Sequence, residues 1–124
     1  DVETPFEVED PKQAFSDAAF EIAAAKQELN ALGVDFFDLP KASPKAEKTK
    51  AACMQVIGYL LHEPLLLQAV HKTACLPGKT LMRELGVSSK VLERHRKYIL
   101  AGLVILGGDY PTLQGYFDTR KGVR

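Results

Sequence analysis

The sequence has no apolar run long enough to cross a membrane. Its longest run, from Tyr98 to Leu106, covers nine residues, whereas a membrane-spanning helix needs roughly 18 or more. The residues from Asp1 to Pro5 are acidic and lack the apolar segment of a secretory signal peptide. These absences argue against direct membrane insertion and secretion, so we expect a cytoplasmic protein.

Cysteine and histidine are also scarce. We interpret Cys53 and Cys75, which form no Cys-x-x-Cys pair, as two buried thiols in a reducing compartment. His62, His71 and His95 share no metal-ligand spacing, and no Ser or Cys forms a recognisable nucleophile motif with a histidine. The sequence therefore predicts no metal site, no cofactor, no small-molecule substrate, no catalytic residue and hence no enzyme.

The charges that are present are unevenly distributed, although the formal net charge of the 124 residues is zero. Residues 1–39 carry ten acidic residues against Lys12 and Lys26, a balance of −8. Residues 71–98 carry seven basic residues against Glu84 and Glu93, a balance of +5. Such asymmetry indicates a nucleic-acid surface at one end and a different partner at the other.

Local signals predict an all-α chain. Asp10-Pro11 opens a first helix whose apolar positions, Phe15 to Leu32, recur at helical spacing up to Gly33. Asp35 caps a short turn, and Ser43-Pro44 opens a helix to about His62. Glu63-Pro64 starts another. We divide the chain into an acidic helical segment, 1–42, and a DNA-binding unit, 43–124, which together form one compact body.

A helix-turn-helix is predicted between Pro77 and Lys97. Leu81 and Leu85 face inward on its first helix, and Gly86 supplies the left-handed residue of a sharp exit. Ser88 caps the second helix, which we expect to continue without interruption to Leu106. This pattern predicts a small helical domain that binds DNA.

The two faces of the second helix differ in chemistry. Leu92, Ile99 and Leu103 fall on one side, while long polar side chains cover the other. Arg and Lys can contact guanine, Glu the cytosine amino group, and Ser either base or phosphate. The predicted DNA-binding residues are Lys79, Thr80, Ser88, Ser89, Lys90, Glu93, Arg94, His95, Arg96 and Lys97.

The same stretch carries a family resemblance. Residues 81–88 (LMRELGVS) and 92–99 (LERHRKYI) resemble the C-terminal domain of the I-type sigma factors, specialised members of the sigma-seventy family of RNA polymerase subunits. Three further stretches match in the same order: residues 32–34 with 36–39, residues 43–45, and residues 108–111 with Leu113. The resemblance implies recognition of the upstream (minus-thirty-five) promoter element, binding to core RNA polymerase, and control by a membrane-anchored anti-sigma factor.

Two other functions remain open on the sequence alone. A dimeric helix-turn-helix repressor would need a self-complementary dimer helix. A pure helical protein-interaction module would use the acidic N-terminal segment and the apolar helix to bind a partner. Salt-dependent binding to promoter DNA would separate the module from the other two functions, and molecular mass in solution would separate the repressor from the sigma factor.

Overall fold

The computed structural model describes residues 11–115, with side chains described from Ser16 onward. This part of the chain is helical and contains no β-strand, which confirms the all-α prediction. The helices are α1 (Pro11–Ala31), α2 (Leu39–Ala42), α3 (Glu47–Leu61), α4 (Pro64–Thr73), α5 (Gly78–Leu85), α6 (Ser89–Arg94) and α7 (Arg96–Gly107). A 3₁₀ turn, Phe36–Asp38, leads into α2, and residues 111–115 form a last helical turn.

Helix α7 occupies the centre of the fold. Every residue from Tyr98 to Ile105 is buried, because α1, α2 and α3 all pack against this helix. Its side chains meet those of Leu29 on α1 and of Ile57 and Leu60 on α3 in one hydrophobic core. An apolar helix surrounded on all sides is what the sequence pattern of α7 requires.

Two carboxylates hold α1 to the end of the described chain. Glu21, which is buried, accepts hydrogen bonds from the backbone N–H groups of Thr112 (3.2 Å) and Leu113 (3.0 Å). Glu28 accepts one from the hydroxyl of Tyr110 (2.6 Å). Burial and this hydrogen bond raise the pKa of Tyr110 to about 12. The first helix thus fixes the position of the final helical turn.

The Glu21 contact predicts a pH-dependent contribution to stability. Burial tends to raise the pKa of Glu21, but the backbone hydrogen bonds from Leu113 and Thr112 outweigh it and lower the pKa below the ordinary value of 4.5. A lowered folded-state pKa stabilises the fold above the unfolded-state value, and this contribution is lost as the pH falls through the folded-state pKa. Glu21→Gln should therefore melt several degrees below the parent chain at pH 7, with the difference narrowing below pH 4.5.

Thermal melts across this pH range test the prediction, with Glu47→Gln as the control. Glu47 is exposed on α3, and its side chain lies 3.9 Å from the amine of Lys50. A melting difference for Glu21→Gln that stays constant from pH 7 to pH 3 would contradict the role of the carboxylate charge.

Several local predictions for the first third of the chain are confirmed. Gly33 adopts the left-handed conformation (φ 77°) that ends α1. Asp35 caps the 3₁₀ turn by accepting from the N–H of Phe37 at 3.0 Å. The proposed cap at Asp10 and the apolar side chain of Phe15 lie outside the described residues. The division of the chain at residue 42 stays a prediction.

The prediction that Ser43-Pro44 opens a helix is wrong. The backbone N–H and the hydroxyl of Ser43 both donate to the carbonyl of Leu39, at 2.9 and 2.8 Å, so Ser43 ends α2. Ser43 and Ala46 are both extended, and α3 begins at Glu47. A serine hydroxyl can bond the carbonyl four residues before it as readily as it can cap the helix after it, and here the earlier partner is used.

Candidate nucleic-acid interface

The turn between α5 and α6 has the predicted geometry. Gly86 is left-handed (φ 72°), and its N–H donates to the carbonyl of Met82. Ser88 is extended, and its hydroxyl accepts from the N–H of Val91 at 3.1 Å. Val87 and Leu92 on either side of this cap are buried in the core. These contacts confirm the helix-turn-helix and fix the start of α6.

The expectation of one uninterrupted helix from Ser88 to Leu106 is wrong. Helix α6 ends at Arg94, and His95 (φ −110°, ψ 22°) separates it from α7. The His95 side chain is buried and donates from Nδ1 to the carbonyl of Ala42 at 2.7 Å. This long-range contact accompanies a kink at His95, across which the backbone bonds of His95 N–H to Val91 and of Ile99 N–H to His95 are kept, and the recognition helix before the kink is six residues long.

The exposed face of α6 brings together part of the predicted DNA-binding set. Ser89, Lys90, Glu93 and Arg94 are exposed, whereas Leu92 on the same helix is buried. Their side chains form a polar surface of mixed charge that faces away from the core. Ser88 is exposed at the start of this surface, and Lys79 and Thr80 lie on the first turn of α5, exposed and half-buried respectively.

Three other predicted residues have partners inside the chain. His95 binds Ala42, and Arg96 donates from Nη1 to the carbonyl of Ala74 at 3.1 Å. The amine of Lys97 lies 3.0 Å from the Asp38 carboxylate. These contacts tie the start of α7 to α2 and to the segment before α5. Contact of these three residues with DNA stays a prediction.

A mostly apolar groove of about 300 Å³ runs beside α6. Ser89 and Glu93 line one side of it, and Cys75 and Leu76 line the other. The expectation that both cysteines are buried is therefore wrong for Cys75, which is exposed because its segment is a connector between α4 and α5. Cys53 is buried on α3, and burial raises the pKa of its thiol to about 11.

Lys41 and Lys45 lie next to the recognition helix, although they are not among the DNA-binding residues predicted from the sequence. Lys41 is at the end of α2, and Lys45 is in the connection to α3. Both line a cleft that they share with Arg94. The stretch Ser43-Pro44-Lys45 was part of the family resemblance, but nothing local to it indicates that it lies beside residue 94.

Other kinds of site are not seen in the described part of the chain. Between residues 11 and 115, no group of three or more His, Cys, Asp or Glu side chains is placed to hold a metal ion. Within the same range, no helix is both long and apolar enough to cross a membrane. The mixed-charge surface of α6 therefore stays the leading candidate for function.

Comparison with known proteins places the chain in a family. No protein-family model matches the chain. It is 32% identical over 98 residues to RNA polymerase sigma factor SigI7 of Acetivibrio thermocellus, covering 79% of this chain and 42% of that protein. It is 34% identical over 103 residues to SigI of Bacillus subtilis, covering 83% and 40%. For SigI of Bacillus anthracis the identity is 31% over 88 residues, covering 71% and 37%.

The chain spans about two fifths of the length of the curated relatives it matches. Their shared name, RNA polymerase sigma factor, is not that of an enzyme, in line with the prediction that the chain is not an enzyme. The helix-turn-helix and these alignments lead to the same assignment. The chain is a homologue of the I-type RNA polymerase sigma factors, with the helical fold of a sigma-factor C-terminal domain.

Proposed function

We propose that this chain recognises the upstream (minus-thirty-five) promoter element through α6 while the sigma factor is bound to core RNA polymerase. The observation that carries the proposal is the polar face of α6, where Ser89, Lys90, Glu93 and Arg94 are all exposed and Ser88 caps the start of the helix. A helix of this kind, presented after a glycine turn, fits the major groove of DNA.

The chemistry of these four side chains suits base edges. Arg94 can donate two hydrogen bonds to the O6 and N7 atoms of guanine, and Glu93 can accept from the amino group of cytosine. Ser89 can donate or accept, and Lys90 can contact guanine or a phosphate. A surface with both signs of charge distinguishes bases better than a purely basic one, because a carboxylate repels phosphates and must find a donor.

Glu93 gives the most specific test of sequence recognition. Glu93→Gln keeps the size of the side chain and removes its charge, so a lost contact with cytosine should change the preferred base at one position, at a cost of about 1–3 kcal/mol for the original site. Selection of bound duplexes from a randomised pool, done with both proteins, measures this change.

The control is Glu84→Gln, which removes a carboxylate from α5 that is paired with Arg83 at 3.3 Å. The control should select the same sequences as the parent chain. Uniformly tighter binding of Glu93→Gln to every duplex would mean that Glu93 only repels phosphates, and sequence recognition by this residue would be excluded.

We also propose that a membrane-anchored anti-sigma factor binds α1, and that the chain acts in the cytoplasm. The acidic charge of the N-terminal segment gives only limited support. Four of its carboxylates have partners within the chain: Glu21, Glu28, Asp35 and Asp38. A stronger support is Phe20, whose side chain on α1 is 77% exposed. Phenylalanine is among the residues enriched at the core of protein interfaces relative to the rest of the surface.

Phe20→Ser should weaken binding to the cytoplasmic part of the anti-sigma factor by about tenfold or more, the effect of losing 1.4 kcal/mol, and leave promoter affinity unchanged. Leu65→Ser is the matched control, since Leu65 is 80% exposed on α4. Titration calorimetry measures both. Removal of residues 1–26 is a poorer test, because it also removes Glu21, Ile22 and Ala25 from their packing. If Phe20→Ser bound the anti-sigma factor as tightly as the parent chain, the surface around Phe20 would be excluded as its binding site.

A further inference from the structure

The corner between α2 and α3 lies against the end of the recognition helix. Lys41, Lys45 and Thr49 line a cleft of about 330 Å³ together with Arg94 and His95. Lys41 also lines a neighbouring cleft together with Arg94 and Lys97. The Arg94 side chain therefore lines both clefts. Lys41 and Lys45, which are distant in sequence, extend the exposed surface of α6.

Hydrogen bonds fix this corner relative to α6. The carbonyl of Ala42 accepts from His95 at 2.7 Å, and Asp38 pairs with Lys97 at 3.0 Å. Ser43 closes α2 through its two bonds to Leu39. Since His95 directly follows α6, the two lysines keep a defined position beside Arg94 when α6 enters a groove.

The charges of the corner are not neutralised within the part of the chain that the structure describes. Lys41, Lys45 and Arg94 are exposed, and no ion pair between described residues includes any of them. No carboxylate lines the first cleft. The carboxylate that lines the second belongs to Asp38, which is paired with Lys97. The corner therefore presents positive charge without an internal partner among these residues.

We propose that Lys41 and Lys45 bind backbone phosphates of the DNA strand that borders the groove entered by α6. The inference rests on the function proposed for α6. Base edges can be reached only from within the groove, and the corner lies beside the helix that would occupy it, so its lysines meet the sugar-phosphate backbone. They add affinity without sequence preference and fix the angle at which α6 enters the groove.

Counterion release provides the test. Each phosphate contact contributes about 0.9 to the slope of log affinity against log salt concentration. The double variant Lys41→Ala/Lys45→Ala should therefore lower the magnitude of this slope by about 1.8 on a duplex of random sequence. Its preferred bases, selected from a randomised pool, should stay those of the parent chain.

The control variant Lys48→Ala/Lys72→Ala removes the same number of charges from exposed positions that line neither cleft. Its slope should change by much less than that of the corner variant. If both variants had the same slope of log affinity against log salt concentration, the change would come from net charge alone, and the proposal would be overturned. Circular dichroism melts of both variants ensure that the comparison uses folded protein.

The outcomes separate this inference from the proposed function. If the parent chain binds duplexes without preferring any sequence, the proposed sequence recognition by α6 is wrong. The salt slopes still show whether Lys41 and Lys45 bind phosphates. If it selects a sequence and the corner variant keeps the parent slope, the corner alone fails. A corner variant with the parent slope but weaker binding to core RNA polymerase would assign the lysines to an acidic protein surface. Absence of binding to any duplex overturns both.

Discussion

Replacing Arg94 with alanine should weaken binding to the promoter element by about 1–3 kcal/mol, or roughly 5- to 150-fold, and relax the preference at one base pair. Arg94 is exposed at the end of α6 with no ion pair to another described residue. Its planar side chain can make two hydrogen bonds to guanine from a fixed fork of donors, a geometry that lysine lacks. Titration of labelled duplexes that differ at single positions measures both effects.

The matched control for this experiment is Arg83→Ala. Arg83 is an exposed arginine on α5 that lies 3.3 Å from the Glu84 carboxylate, so its loss should change promoter affinity little. A loss for Arg94→Ala that is equal on promoter and random duplexes would assign Arg94 to phosphate binding, together with Lys41 and Lys45. Arg94→Lys adds a second criterion, because lysine binds phosphate as a point charge but lacks the planar fork of arginine, so it should restore a phosphate contact more fully than a guanine contact.

Replacing Leu81 with alanine should lower the free energy of unfolding by about 2–5 kcal/mol, the usual cost of truncating a buried leucine. Leu81 on α5 is fully buried in the core, whereas Leu85 on the same helix is half-buried against it. The cavity would lie under the helix-turn-helix, so α5 and α6 would lose their common support. Urea unfolding followed by circular dichroism gives the free energy.

Met82→Ala provides the comparison for Leu81→Ala. Met82 follows Leu81 on the same helix and is 38% exposed, so its truncation should cost much less. If both variants lost the same stability, the effect would come from helix propensity or the unfolded state, and the inward orientation of Leu81 would not explain it. The difference between the two variants therefore measures the packing of α5.

Signals that act over a few residues were sufficient to predict the helix-turn-helix. Gly86 and Ser88 have the backbone conformations that these residue types favour, since Gly86 lacks a Cβ atom and Ser88 caps the helix with its hydroxyl, and Leu81 and Leu92 are buried as their spacing requires. Each of these features depends on neighbours within one or two helical turns. The all-α fold and the exposed residues of α6 follow from the same local rules.

Long-range contacts explain what the sequence did not reveal. Nothing near His95 resembles a helix breaker, since no Gly or Pro lies within four residues of it. Its partner, Ala42, is 53 residues earlier in the chain. The same is true of Glu21 and Glu28, whose charges suggested a partner surface, although they bind Leu113 and Tyr110. Local pattern cannot distinguish a carboxylate that binds another protein from one that binds a distant backbone.

If α6 reads DNA as proposed, the position of the helix break limits how many base pairs it can contact directly. Six residues at about 1.5 Å each make α6 roughly 9 Å long, and successive base pairs are about 3.4 Å apart. The helix therefore spans fewer than three base-pair steps, plus those that the side chains at its ends can reach. Each correct base pair contributes about 1–3 kcal/mol of discrimination. A contact with so few base pairs therefore matches many positions in a genome and cannot distinguish one promoter from all of them. Discrimination between promoters must then be shared with DNA contacts made outside α6.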